Sequence, residues 1–410
     1  MFNDVFRHVI DGRLQRRLSS LVFDLAMRLS AARITARLSG RCAEPGPVIV
    51  SGLLSRFSGI GRAGRLTVEA LEATCDLVIR HDAEQALATR LGETLPFPIA
   101  EPGGLWIVHL NAPEAEKILS CYQTEDFATR RRVGYWAYEL QPAPKSWKRV
   151  AAMFDEIWAP SQFTADAIRA VVPNATVRIV PHPTPDISGV QADRAAFGLP
   201  SDAVIFFCMF DTLSSEVRKN PFGAVNAYLT AFPQAPEGVM LLVKASCPPG
   251  TSPSLIQLLK RIKRPDIRLI TDHFSDSEML VLLASIDVLV SLHRAEGFGL
   301  ALQEAMALGR PVIATGWSGN LEFMTSENSV LIGHQLISVD DLRGRYDGRG
   351  RVWAEPDTDE AAYHIRRLYD DAAVRGALGA LAAKDATRNA DDAEVVAATR
   401  ANLACLRKNL

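Results

Sequence analysis

The sequence predicts an α/β chain: two Rossmann-like, doubly wound domains in succession, facing each other across a cleft. Three observations carry that expectation: a length of 410 residues, short β-branched runs that alternate with longer amphipathic stretches, and a rigid proline-rich break near mid-chain. With 48% hydrophobic and 22% charged residues the chain has material for more than one core. Lysine and arginine total 45 against 47 aspartates and glutamates, so no overall charge field marks a nucleic acid or other polyanion as a partner.

From about Pro47 onward the strand-like runs include residues 48–51, 105–110, 132–137 and 156–159. The segment Pro181-His182-Pro183-Thr184-Pro185 then interrupts the pattern, because consecutive prolines fix φ and remove the N–H groups that a helix or a central strand needs. It reads as an interdomain linker. A second series follows at 204–210, 239–243, 267–270, 288–292 and 311–315. The domains are therefore expected at 1–184 and 185–388, with a helix in 389–410. Ligands of such sheets collect beyond the carboxyl ends of the strands, so the loops after Ser51, Phe210 and Leu292 are the places to search.

Residues 1–41 differ in character. Phe2, Val5, Phe6, Val9, Ile10, Leu14, Leu18, Leu21, Leu25 and Leu29 recur at helical spacing, with eight Arg against three Asp. A basic amphipathic helix of this kind either packs on the first domain or another subunit, or lies on an anionic membrane surface. The six cysteines are scattered without a CxxC pair and read as reduced, packed thiols rather than a metal cluster. No run reaches the roughly 18 apolar residues of a spanning helix, and no signal-peptide layout opens the chain. The expected location is cytoplasmic, peripheral at the membrane if residues 1–41 dock there.

The most informative segment is Ser291-Leu-His-Arg-Ala-Glu296-Gly-Phe-Gly-Leu-Ala-Leu-Gln-Glu304-Ala-Met-Ala-Leu-Gly309-Arg-Pro311, which leaves one strand and leads into the next. Gly297 and Gly299 allow close approach of a ligand to the backbone. The N–H groups from Phe298 to Leu300 and the dipole of the following helix favour an anion such as a diphosphate. Glu296 and Glu304, with seven residues between them, suit the hydroxyls on either side of it: Glu304 a ribose diol, Glu296 a sugar. Taken singly, each glutamate reads equally well as a solvated or surface-paired charge.

In this context the two glutamates and the glycine loop between them resemble the donor signature of family 4 retaining glycosyltransferases (glycosyl transferases group 1), which have the GT-B fold. Residues 309–324 are similar to that family's next strand and its glycine loop over the donor phosphates, which points to Gly319 and Asn320 as donor contacts. Asp211-Thr-Leu-Ser-Ser-Glu-Val-Arg218-Lys219-Asn220-Pro221 resembles its basic diphosphate-binding element, with Pro221 placed to begin a helix running to Phe232. Lys219 is the preferred cation there. Many relatives carry an arginine six residues before the lysine; here that position is Leu213, and Arg218 or the helix terminus is left to substitute. A solvated basic pair is the plainer reading of Arg218 and Lys219.

In the first domain, Ser51-Gly-Leu-Leu-Ser-Arg-Phe-Ser-Gly59-Ile-Gly61-Arg-Ala-Gly64 contains a formal GxGxxG. Seven residues, Gly52 through Ser58, separate the run 48–51 from Gly59, whereas a dinucleotide fingerprint starts at the strand end. The resemblance instead implies an extended loop against donor phosphates and acceptor, involving Gly59 and Gly61. His109, at a strand's carboxyl end, is either a core histidine or, as the family often has it, a contact to the transferred sugar. The blocks Gly134-Tyr-Trp136-Ala-Tyr-Glu139-Leu and Asp155-Glu-Ile-Trp-Ala-Pro160-Ser161-Gln-Phe163 are similar to the same superfamily's first domain.

The resemblance spans roughly residues 47–335 and implies transfer of a sugar, with retention, from a UDP- or GDP-sugar to a glycan or lipid-linked acceptor in bacterial polysaccharide or lipopolysaccharide synthesis. The assigned roles are Glu296, Lys219 and His109 at the reacting centre, and Glu304, Gly297, Phe298, Gly299, Leu300, Arg218, Gly59, Gly61, Gly319 and Asn320 around the donor. No clear Asp-x-Asp stands beside a strand end within residues 47–335, the span of the resemblance, so no metal and no further cofactor are expected. The family's terminal helix often crosses back to the first domain, and 389–410 is expected to do so. Two other readings stay open: an NAD-dependent oxidoreductase built on Gly59, Gly61 and Gly64, and a non-catalytic partner subunit on the same scaffold. Donor base and sugar, acceptor and oligomeric state are not legible.

Overall fold

A computed structural model describes residues 25, 27–36, 38, 43–75, 77–89, 95, 101–246, 254–262, 264–341, 346, 350–389 and 393–408. The first sheet holds β1 (Val48–Gly52), β2 (Val78–Asp82), β3 (Leu105–His109), β4 (Arg131–Tyr135), β5 (Glu156–Ala159) and β6 (Val177–Ile179), all parallel. Their order is β2-β1-β3-β4-β5-β6. Continuous apolar runs form the centre because helices cover both faces: every residue of β1 and β3 is buried. The edge strands β2 and β6 escape the hydrophobic pattern, being short and only half buried.

The second sheet holds β7 (Val204–Asp211), β8 (Val239–Ser246), β9 (Ile267–Ile270), β10 (Val288–Ser291), β11 (Val312–Thr315) and β12 (Val330–Ile332), ordered β12-β11-β10-β7-β8-β9. The chain winds outward from β7 to β9, then returns to the other side of β7 at β10. This reversal opens a crevice between the loops that follow β7 and β10, where ligands of doubly wound sheets bind. In the first sheet the corresponding reversal lies between β1 and β3. A small antiparallel hairpin, β13 (His334–Ser338) and β14 (Val352–Pro356), was not foreseen from the sequence.

The two sheet domains touch through packed side chains. Trp136, Tyr138 and Trp147 of the first share one buried cluster with Ala295, Tyr346 and Trp353 of the second. The helix Gln162–Arg169 begins at Ser161, whose hydroxyl donates to the carbonyl of Gly297 at 2.7 Å, joined by Thr164 Oγ1 at 3.1 Å. The final helix, Ala393–Lys408, returns to the first domain: Val395, Val396 and Ala398 pack with Val48, Val50 and Leu71, and Arg131 donates to Asn402 Oδ1.

Of the N-terminal extension, residues 1–24 lie outside the described residues. In helical residues 27–36 the packed face is Met27, Ala31 and Ile34, while Leu25 and Leu29 are 59% and 64% exposed. This corrects the expected stripe, whose last members face away from the core, on the opposite side of the helix from the buried set. Among the described residues no helix is long and apolar enough to cross a membrane.

Phe206, fully buried at the centre of β7, packs on Tyr228 and Phe232 of the helix Pro221–Ala231 and its cap. Phe206→Ala is expected to cost about 3–5 kcal/mol of stability. A urea unfolding midpoint equal to that of the unaltered chain would refute this placement.

Candidate donor and transfer site

Two loops build the site at the crevice of the second sheet. After β7 the chain makes the short helix Glu216–Lys219, and Asn220 turns it at φ 47° into the helix Pro221–Ala231. Left-handed backbone suits asparagine better than most residues, and its side chain is used twice: Oδ1 accepts from Gly223 N at 3.2 Å, and Nδ2 donates to Leu292 O at 2.9 Å. The second contact ties the β7 loop to the β10 loop. Arg294 N donates to Arg218 O at 2.7 Å, and Arg218 Nη1 donates to Ala295 O at 2.6 Å, completing the seam.

This seam brings Glu296 onto two cations. Lys219 Nζ donates to Glu296 Oε1, and Arg218 Nη1 stands 3.2 Å from Oε2. Burial alone would raise the Glu296 carboxyl, but Lys219 and then Arg218 outweigh it and hold the group down at about 2. Glu296 is therefore a buried anion rather than a solvated loop charge. The Arg218 side chain is only 2% exposed and also donates to Ser214 Oγ at 2.5 Å, so it is a buried partner of the loop rather than a solvated basic group. Glu139, from the first domain, approaches the same guanidinium at 3.6 Å.

Beyond Glu296 the loop is clamped by its neighbours. Ser318 Oγ accepts from Glu296 N at 2.8 Å and Gly319 N donates to Glu296 O at 2.9 Å. A Cβ on Gly319 would lie 2.2 Å from Gly297 O, so only glycine fits there. Gly299, at φ +103°, turns the chain into the helix Leu300–Ala307 and its carbonyl accepts from Leu302 and Gln303 at 2.9 and 3.1 Å. The Phe298 ring points into the core against Phe323 and His182, leaving its backbone to line the loop. Asn320 is fully buried, donating to Thr315 O at 3.1 Å with Oδ1 3.1 Å from His293 Nε2, and so supports the loop from behind.

Glu304, one turn into that helix, meets a partner that its sequence surroundings did not reveal. Arg62 Nε donates to Glu304 Oε1 at 3.0 Å across the cleft, and Arg62 Nη1 to Asp276 Oδ2 at 3.1 Å. Arg65 holds Asp276 with two bonds of 2.6 and 2.8 Å. Burial raises the Glu304 carboxyl, opposed by Arg62. The signal for this network was present as two arginines three apart in the glycine loop, but nothing local names partners more than two hundred positions away.

The helix Gly59–Glu72 starts at Ser58, which caps Gly61 N at 3.3 Å. A Cβ on Gly61 would meet Arg56 O at 2.3 Å and Leu53 O at 2.6 Å, while one on Gly59 meets nothing within 4 Å. The glycine at 61 thus serves the loop's own fold-back, unlike the tight strand-to-helix turn of a dinucleotide site. His109 is 1% exposed at the end of β3, its ring 4.3 Å from Tyr135 and 5.5 Å from His182, and both its nitrogens lack a partner among the described residues. Burial lowers its pKa to about 3, so the ring is neutral. Among the described residues no group of three or more His, Cys, Asp or Glu is placed to hold a metal ion.

Residues 225–371 match the family model described as glycosyl transferases group 1. A search of curated proteins finds no match. Among solved structures, sucrose-phosphate synthase from Thermosynechococcus elongatus is similar at 17% identity and TM-score 0.64, over 87% of this chain and 98% of that one. HepE from Anabaena, in complex with UDP and glucose, follows at 15% identity and TM-score 0.61, over 87% and 99%. TarM from S. aureus, in complex with UDP and α-GlcNAc-glycerol among others, shares 12% identity at TM-score 0.52 over 73% of this chain; the chain spans 55% of its length. The fold is GT-B.

The neutral His109 fixes a pH dependence. The unfolded imidazole takes up a proton near pH 6.5, whereas the folded one resists until about 3, so stability is lost as pH falls through that window. His109→Phe should therefore lose less melting temperature between pH 7 and pH 5 than the unaltered chain does. Equal losses would show that the ring is not held neutral.

Proposed function

We propose that this chain is a retaining glycosyltransferase of family 4, moving a sugar from a UDP- or GDP-sugar onto a glycan or lipid-linked acceptor in bacterial polysaccharide or lipopolysaccharide synthesis. The observation that carries the reading is the buried Glu296–Lys219 pair beside a glycine turn and a helix N-terminus, at the reversal point of the second sheet. The matched family and the UDP named with HepE and TarM support it. On this reading the work lies on the cytoplasmic side; residues 1–41 either pack on the first domain or another subunit, as Ala31 and Ile34 do on the first domain, or meet a membrane surface.

In this reading the donor diphosphate lies on the N–H groups of Gly297 to Leu300, its ribose on Glu304 and its sugar on Glu296. Lys219 then turns from Glu296 to the diphosphate, where negative charge grows as the leaving group departs; a preorganised cation acts mainly at that stage. Glu296, relieved of one cation, offers its oxygens to the sugar hydroxyls. His109, neutral and with unsatisfied nitrogens, receives the sugar from the first domain's side. The chemistry on this reading is front-face substitution: the leaving phosphate oxygen takes the acceptor proton on the face from which it departs, without metal.

The oxidoreductase alternative is not favoured, because Gly61 is filled by its own loop rather than open to a pyrophosphate. A non-catalytic subunit is separated from an enzyme by activity alone. Glu296→Gln and Lys219→Ala should each lower kcat by about 10²-fold in a nucleotide-release assay with the matching donor. Glu304→Ala should instead raise the donor KM. Normal turnover by both Glu296→Gln and Glu304→Ala would remove the basis of the assignment, and activity that disappears with a chelator would contradict the metal-free mechanism.

A further inference from the structure

Among the described residues the donor half offers little uncommitted positive charge. A nucleotide sugar carries a negative charge on each phosphorus, yet among the described residues the cations beside the 297–300 loop are Lys219, paired with Glu296 and 26% exposed, and two arginines held by other groups. Arg218 is buried and bonded to Ala295 O and Ser214 Oγ. Arg294 is clamped by both oxygens of Glu355, at 2.5 and 2.9 Å, and by Val217 O.

The other half of the cleft holds a cation within reach. Arg62 sits in the first turn of the helix Gly59–Glu72 and is bound to Glu304 by one hydrogen bond of 3.0 Å. Its second partner, Asp276 Oδ2, is also the acceptor for Arg65 Nε at 2.6 Å. Arg65 is anchored far more firmly, by both Asp276 oxygens and by the carbonyls of Leu54 and Arg56 at 2.8 Å. Loss of the Arg62 contacts therefore leaves Asp276 paired and the two domains still strapped together. Glu304 lies four residues along the helix from Leu300, about 6 Å of axial rise, which is less than the length of an extended arginine side chain.

Resting on the nucleotide-sugar reading, we propose that Arg62 is a displaceable counter-ion. It neutralises Glu304 while the site is empty, yields that carboxylate to the donor ribose, and turns to the diphosphate as a second cation beside Lys219. The exchange keeps charges matched at each stage. Glu304 is not left as a buried unpaired anion in the empty protein, and the guanidinium is not left unpaired once the ribose hydroxyls arrive. It also makes the diphosphate a ligand shared by both domains.

Calorimetric titration of UDP and of GDP, and of uridine and guanosine as displacers of the bound nucleotide, tests this. The Arg62→Ala protein should bind the preferred diphosphate about tenfold or more weakly, while its affinity for the matching nucleoside is unchanged or higher, because Glu304 has been freed. Arg62→Lys should recover part of the loss, showing that charge rather than folding is responsible. Arg65→Ala should keep the diphosphate affinity within about threefold. Diphosphate binding by Arg62→Ala that equals or exceeds that of the unaltered chain overturns the inference, leaving Arg62 as a competitor for Glu304 only. If the unaltered chain binds neither nucleotide, the nucleotide-sugar reading itself falls and this inference with it.

Discussion

An ionised carboxylate buried at Glu296 is the constraint on which the rest of the site depends. Removing such a group from water costs several kcal/mol unless cations and hydrogen bonds replace the solvent, and here they come from one direction. Lys219 and Arg218 reach it only because Asn220 and the Arg218 backbone stitch the β7 loop to the β10 loop. The reversal of strand order puts those two loops side by side in the first place. Topology, loop hydrogen bonds and charge burial are thus one argument: break the stitch and the anion loses its counter-ions.

The same economy governs the meeting of the domains. The carbonyl of Gly297, which would otherwise be an orphaned acceptor in a tight turn, is satisfied by Ser161 and Thr164 from the first domain. Glu304 and Asp276 are answered by Arg62 and Arg65, again from the first domain. The 297–300 loop is therefore shaped from both sides by the protein itself, and such preorganisation lowers the cost of binding any ligand there.

Much of this was legible in the sequence, for reasons that differ by element. Central strands such as β3 and β10 announced themselves because burial on both faces demands an unbroken apolar run. The half-exposed edge strand β2, reading Val-Ile-Arg-His-Asp, carried no such demand and passed unnoticed. The Glu296, Gly297, Gly299, Glu304 series was readable because its spacing is local. What local spacing does not encode is who answers a charge or a polar group across the fold: that Arg218 bonds Ala295 and Ser214, that Arg62 pairs with Glu304, and that Asn320 meets His293. Leu25 and Leu29 failed for a related reason, since helical periodicity gives a stripe but not which side of it the core selects.

The return of the helix Ala393–Lys408 to the first domain bears on how the protein comes to exist. Val395, Val396 and Ala398 close an apolar surface formed by Val48, Val50 and Leu71. During synthesis that surface stays uncovered until residues 393–408 have left the ribosome, long after the strands around it have been made. The nascent first domain is thus obliged to wait, half finished, while the second is translated, a period in which exposed apolar surface invites aggregation or chaperone capture.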